Sequence, residues 1–278
     1  MQIDEIVRMA LEEDLGDGDH TSLATVPESA IGEAIMFAKE VGILAGVEIA
    51  KQVFLQVDAD IEIDIFIKDG SRIKPGDKVM LVKGRSRSLL SAERTALNFI
   101  QRMSGIATFT NSIVSKISGM HTKILDTRKT TACNRAVEKL AVKIGGGMNH
   151  RFGLYDMIMI KDNHVDFAGG IKNAIEATHK YLKQNKKDLK IELEVRNFDE
   201  LNQAMEVGGI DRIMLDNFTP EELIKALQII DGKYETEASG GISIDTIVDF
   251  AKTGVDFISV GALTHQIKSL DLSLKANF

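Results

Sequence analysis

From residue 123 onward the chain keeps a regular beat, and no other feature narrows its fold so far. Six short apolar runs, Lys123–Thr127, Met157–Lys161, Lys190–Val195, Arg212–Asp216, Tyr234–Ala238 and Phe257–Val260, read as strands. Helical patterns lie between them, among them Phe198–Val207, Pro220–Ile230 and Ile244–Thr253. Pro220 stands at a first helical position behind Thr219, a residue suited to cap it. Strands separated by helices pair in parallel through right-handed crossovers. The last four begin only about 22 residues apart, the spacing of tight βα units. The pattern predicts a closed or nearly closed α/β barrel, with an open doubly wound sheet as the alternative. No G-x-G-x-x-G follows any strand, which disfavours a dinucleotide fold.

The first part is of another style. Ile3–Leu15 carries a helical apolar stripe, and Ile61, Ile63, Ile65 and Ile67 alternate with polar neighbours as in a half-buried strand. Turn signals at Asp69–Ser71 and Lys74–Lys78 flank further strands. A long helix fits Leu89–Ile106, with a second helical stretch to about Ile117. We therefore expect an α+β domain over residues 1–110 and the barrel over 111–278.

Several classes are disfavoured by composition. No apolar run reaches the roughly 18 residues of a membrane span. The first residues are acidic and amphipathic, so no export leader is expected, and the single cysteine, Cys133, fits a reducing cytoplasm. A formal charge of −7 with no Trp argues against a nucleic-acid binder. Against that background His121–Val165 holds eight Lys or Arg and four Asp or Glu, a local excess of +4. The excess suggests an anionic small ligand, with a basic helix face around Lys139 and Lys143 as the plainer explanation of part of it.

Barrel chemistry sits where strands run out. Those ends read Thr127-Arg128-Lys129, Lys161–His164, Glu194–Arg196, Asp216-Asn217, Ser239-Gly240-Gly241 and Val260-Gly261-Ala262. The two glycine-rich ends suit close backbone approach to a phosphate. Glu194 and Asp216 suit a salt bridge, Mg²⁺, or a positively charged sugar-like transition state. Arg128, Lys129, Arg151 and Lys161, with His150 beside Arg151, outnumber those two carboxylates and call for a polyanion.

Longer blocks carry a specific likeness. ILDTRKTT (Ile124–Thr131), GGGMNHRFGLYDMIMIKDNH (Gly145–His164), LEVR (Leu193–Arg196), LDN (Leu215–Asn217), EASGGI (Glu237–Ile242) and SVGALTH (Ser259–His265) closely resemble the quinolinate phosphoribosyltransferase family. EEDLGDGDHTS (Glu12–Ser22) and ERTALNFIQRMSGIAT (Glu93–Thr108) extend the likeness upstream. The resemblance implies an incomplete six-stranded barrel, a homodimer or larger assembly, and a decarboxylating reaction. In it quinolinate and phosphoribosyl pyrophosphate give nicotinate mononucleotide, pyrophosphate and CO₂ with Mg²⁺. It further implies that Arg102, Arg128, Arg151 and Lys161 bind the quinolinate carboxylates, with His150 and Lys129 nearby. Arg102 is expected to enter the partner subunit's site. Glu194 and Asp216 would face the ribose and metal, and Ser239–Gly241 with Gly261 would hold phosphate. Lys161 is expected to position substrate rather than to form an imine.

The family's usual proline after TRKTT is replaced here by Ala132, which leaves the loop less stiff. Cys133 has no designated base beside it. Asp17, Asp19, His20 and Thr21 look like metal ligands but read better as a helix-capping turn, and His164 with Asn163 should orient neighbours by hydrogen bonding. Three rivals stay open at this stage. One is a molybdenum-associated paralogue with another anionic acceptor, one a Schiff-base lyase using Lys161, and one a non-catalytic binder of phosphorylated metabolites.

Overall fold

The computed structural model describes residues 2–277, which form two compact units. The first takes in residues up to Ser112, Lys129–Gly147 and the segment from Leu263 onward. Its sheet is antiparallel, in the order Leu272–Ala276, Ile31–Ala38, Lys78–Arg85, Glu62–Ile65. Phe54, Met36, Leu44, Met80, Ile100 and Met103 form its fully buried centre.

Two helical stretches were expected between Leu89 and Ile117, and the chain instead makes one helix, Ser86–Lys116. The apolar pattern falters at Gly105, a weak helix former. A side chain there would lie 2.3 Å from the Lys268 carbonyl oxygen, so close packing requires glycine and the helix runs through it. The helix Arg135–Ile144 corrects a second expectation: Lys139 is 2% exposed, so only Lys143 contributes to a solvated basic face.

The second unit, Ile113–Arg128 and Met148–Ala262, is the barrel. We number its strands β1 (Lys123–Leu125), β2 (Ile158–Ile160), β3 (Ile191–Val195), β4 (Arg212–Asp216), β5 (Glu235–Ser239) and β6 (Phe257–Ser259). All pair in parallel, in the order β1-β6-β5-β4-β3-β2. The sheet is an incomplete six-stranded barrel, open between β1 and β2. Part of that opening is closed by the chain just before His150. The Met148 amide donates to Ile124 O at 2.8 Å, and the Asp126 amide donates to Met148 O at 3.1 Å.

Local chemistry fixes the outer helices. Thr219 accepts the Glu222 amide at 3.2 Å, Glu222 accepts the Thr219 amide at 2.8 Å, and Pro220 follows the cap. This reciprocal box satisfies two amides that a helix start leaves without partners. Phe198–Val207 and Pro220–Ile230 begin and end where the sequence pattern put them, whereas the Ile244–Thr253 pattern shortens to a helix over Ile247–Ala251.

Candidate active site

The barrel strands are buried on both faces, yet charged residues alternate along them. β3 reads IELEV with every residue buried, and its register pairs Glu192 with Arg212 and Glu194 with Met214 on β4. Alternation sends residues two apart to one face, so Glu192 and Glu194 form successive steps of a polar column.

At one step, Lys161 sits just past β2 and heads the helix Asp162–Ala168. His164 Nδ1 accepts the Lys161 amide at 3.0 Å, the orienting bond expected of it. The Lys161 side chain donates to Glu194 Oε2 at 2.9 Å; the lysine side chain is 45% exposed and the glutamate 8%. Asp216 ends β4, and its carboxyl is pushed above the usual range by burial and then by the negative charge of Glu194, with Lys161 opposing. Two hard oxygen donors that repel each other beside one ammonium suit a divalent cation bound with phosphates.

The arginines show the opposite imbalance. Arg151 is held below the usual guanidinium range by burial and by the like charge of Arg128. Its Nη1 donates to Met157 O at 3.3 Å. Arg128 lies three residues past β1 and is exposed. Two like-charged guanidiniums near each other suit an anionic ligand with more than one carboxylate.

The carboxyl ends of β4 and β5 interlock at glycine. Gly240 has φ +99°, and a side chain there would meet Asn217 Oδ1 at 2.2 Å and the Asn217 amide nitrogen at 2.9 Å. Asn217, itself at φ +59°, donates its amide to Ser239 O at 2.8 Å and its side-chain nitrogen to Asp216 Oδ2 at 2.7 Å. Gly240→Ala must therefore displace the residue that holds Asp216. The expected result is a loss of about 1–3 kcal/mol of stability, read by thermal unfolding, with at least a tenfold fall in kcat/KM.

Below this level lies a buried ionic network that sequence reasoning missed, apart from His150. The His150 side chain is 5% exposed, and its Nε2 lies 3.0 Å from Glu192 and 3.3 Å from Glu237, both fully buried. Arg212 Nη1 is 3.1 Å from Glu237 and 4.0 Å from Glu192, its Nη2 reaches Glu235 at 3.0 Å, and its guanidinium covers the Phe257 ring at 4.1 Å. The trio of one histidine and two glutamates could ligate a metal by spacing. The guanidinium already supplies positive charge there, so an ion-paired network is the better description. The Arg151 amide donates to His150 Nδ1 at 2.6 Å, which directs a proton on Nε2 toward the carboxylates. Burial opposes charging this imidazole, but the bonds and charges of Glu192 and Glu237 outweigh it and raise its pKa to about 9. Asp126, fully buried, accepts the His150 amide at 2.8 Å and the Asn149 side chain at 2.6 Å, pinning this segment beside β1. The spacing of Glu192 and Glu194 on an otherwise apolar strand, and of Glu235 and Glu237 on the strand ETEAS, was the available signal.

The expected residues thus fall into groups. Thr127, Arg128, Lys161, Glu194, Asp216, Ser239, Gly240, Gly241, Val260, Gly261 and Ala262 lie at or just beyond strand ends of the barrel unit, and Arg151 lies in its segment leading to β2. Of these, Lys161 is joined to Glu194, with Asp216 in their field, and Arg151 senses Arg128. His150 is directed to the buried carboxylates instead. Arg102 and Lys129 belong to the other unit, where Arg102 Nη2 pairs with Glu138 at 2.9 Å and the Lys129 carbonyl accepts Thr264 Oγ1 at 2.7 Å. Asp19 accepts the Ser22 amide at 3.0 Å and caps the helix His20–Thr25, the structural role read for that turn. Cys133 is exposed at φ +61°.

Comparison with known proteins gives consistent matches. Residues 19–104 match the model of the quinolinate phosphoribosyl transferase N-terminal domain, and residues 106–275 that of the C-terminal domain. A probable nicotinate-nucleotide pyrophosphorylase (carboxylating) of Bacillus subtilis is 41% identical over 99% of this chain and 93% of its own. The chloroplastic enzyme of that name from Arabidopsis thaliana is 44% identical over 97% of this chain and 81% of its own. The solved nicotinate-nucleotide pyrophosphorylase of Francisella tularensis superposes with a TM-score of 0.92 at 44% identity, covering 99% of this chain and 96% of that one.

Proposed function

Because the chain belongs to the quinolinate phosphoribosyltransferase family, we propose that its strand-end cations and carboxylates divide one reaction between them. The enzyme transfers the phosphoribosyl group of phosphoribosyl pyrophosphate to quinolinate with decarboxylation, giving nicotinate mononucleotide, pyrophosphate and CO₂. The observation that carries the division of labour is the Lys161–Glu194 pair beside Asp216, within one barrel that also holds Arg128 and Arg151.

The two arginines clamp the carboxylates of quinolinate, whose two negative charges relieve their mutual repulsion. Lys161 binds the same acceptor and, through Glu194, sets the angle of that carboxylate. Glu194 and Asp216 stabilise positive charge developing at C1 of the ribose as pyrophosphate leaves. The pyridine nitrogen then attacks that carbon. Once the nitrogen is quaternary, the C2–carboxylate bond breaks, CO₂ leaves, and C2 keeps the electron pair beside N⁺ and takes up a proton from solvent, so no protein nucleophile is required. Glycines 240, 241 and 261 with Ser239, Val260 and Ala262 line the phosphate position, and Lys129 contacts the phosphates. Glu194 and Asp216 would hold Mg²⁺, directly or through substrate oxygens, and the ion would neutralise charge on the leaving group. We further propose a homodimer in which Arg102 serves the partner subunit's acceptor, working in the cytoplasm. No helix among the described residues is long and apolar enough to cross a membrane.

Acceptor choice tests this reading. Quinolinate should turn over with CO₂ release, whereas nicotinate, lacking the second carboxylate, should turn over at least 100-fold less efficiently. Equal efficiency with nicotinate would contradict the paired-arginine clamp.

A further inference from the structure

Arg102 is held by a buried carboxylate of its own compact unit. Glu138 lies in the first turn of the helix Arg135–Ile144, fully buried. Its Oε1 accepts Arg102 Nε at 3.2 Å, Arg102 Nη2 at 2.9 Å and Thr131 Oγ1 at 2.8 Å. Its Oε2 accepts the Thr131 amide at 3.1 Å. One carboxylate therefore joins the guanidinium to the backbone just beyond Lys129. A second path runs through Thr264, whose carbonyl accepts Arg102 Nη2 at 2.6 Å and whose hydroxyl donates to the Lys129 carbonyl at 2.7 Å. Arg102 Nη1 donates to Ile267 O at 3.2 Å.

The geometry commits most of this cation inside its own compact unit. A guanidinium has five N–H groups, and the bonds above use Nε–H, both on Nη2 and one on Nη1. The remaining Nη1 hydrogen is the part left for a ligand, on a side chain 25% exposed. Such a presentation is fixed by its supports, because a long side chain otherwise samples many rotamers.

We infer that Glu138 is a positioning residue for acceptor binding, aiming Arg102 through one buried carboxylate that Thr131 holds in place. This rests on the reading that Arg102 contacts quinolinate. A salt bridge with only a structural role would lower stability when removed and leave the two Michaelis constants in the same ratio.

A double-mutant cycle with Arg102→Ala and Glu138→Gln separates these cases, with quinolinate and phosphoribosyl pyrophosphate varied separately and folding checked by thermal unfolding. Glu138→Gln should raise KM for quinolinate about tenfold, and several-fold more than KM for phosphoribosyl pyrophosphate. In the Arg102→Ala background the same change should add little. Additive effects, or an unchanged KM for quinolinate in folded Glu138→Gln protein, would overturn the inference. If Arg102→Ala left KM for quinolinate unchanged, the assignment of Arg102 and this inference would fall together, while turnover of quinolinate would still stand. Should Glu138→Gln not fold, Thr131→Ala removes only one arm and should still raise KM for quinolinate several-fold; no change would count against the inference.

Discussion

Lys161→Met is expected to lower kcat/KM for quinolinate by about 10²- to 10³-fold, the scale of losing one partner of a partly buried charged pair. The change removes the proposed acceptor contact and also strips Glu194, 8% exposed, of the ammonium 2.9 Å away. Asp216, already pushed toward the neutral acid by burial and by Glu194, then loses a cation that opposes that shift. Asp216 becomes poorer at meeting positive charge on the ribose, and Glu194 loses the partner that orients it. Lys161→Arg keeps the charge but replaces a point ammonium by a planar fork, so it should recover only part of the loss. Steady-state kinetics with each substrate varied in turn would show kcat falling in both variants. Borohydride treatment during turnover should trap no imine on Lys161, and a trapped adduct would contradict a purely positioning role.

Glu237→Leu is expected to cost about 3–5 kcal/mol of stability, because it leaves Arg212 and His150 with one shared buried carboxylate, Glu192, instead of two. For a chain of this length that is a fall in Tm on the order of 10 °C. The same network should give stability a pH dependence. The folded pKa of His150 is raised to about 9 from an ordinary 6.5. A raised pKa adds stability that is fully present below the unfolded value and disappears as pH rises through the folded one. The stability advantage of the parent protein over His150→Gln, measured by urea unfolding, should therefore shrink between about pH 6.5 and 9. The Arg151 amide on Nδ1 works against the second proton and limits the size of this effect.

How far the sequence disclosed all this depended on what each signal needed. Pro220–Ile230 could be bounded to the residue because its cap, its proline and its apolar period are all local. The barrel followed from repetition of such units, and the strand-end residues followed from the barrel. Long resembling blocks then named the chemistry. Glu192, Glu237 and Arg212 escaped, although their spacing was visible, because alternating charge on a strand ordinarily marks a solvent face. Only closing the sheet turns that face inward. Glu138 escaped for a related reason: beside Lys139 it looked like one charge on a polar helix face, and its burial depends on Arg102 and Thr131, 36 and 7 residues away. The continuous helix through Gly105 was hidden because the residue packed against it, Lys268, is remote in sequence.

The most direct test of the central claim is a carbon count. Protein, Mg²⁺ and phosphoribosyl pyrophosphate should be mixed with quinolinate labelled in its C2 carboxylate. One labelled CO₂ and one pyrophosphate should form for each nicotinate mononucleotide, with no label left in the nucleotide. Well-folded protein that forms no product, or a nucleotide that retains the label, would contradict it.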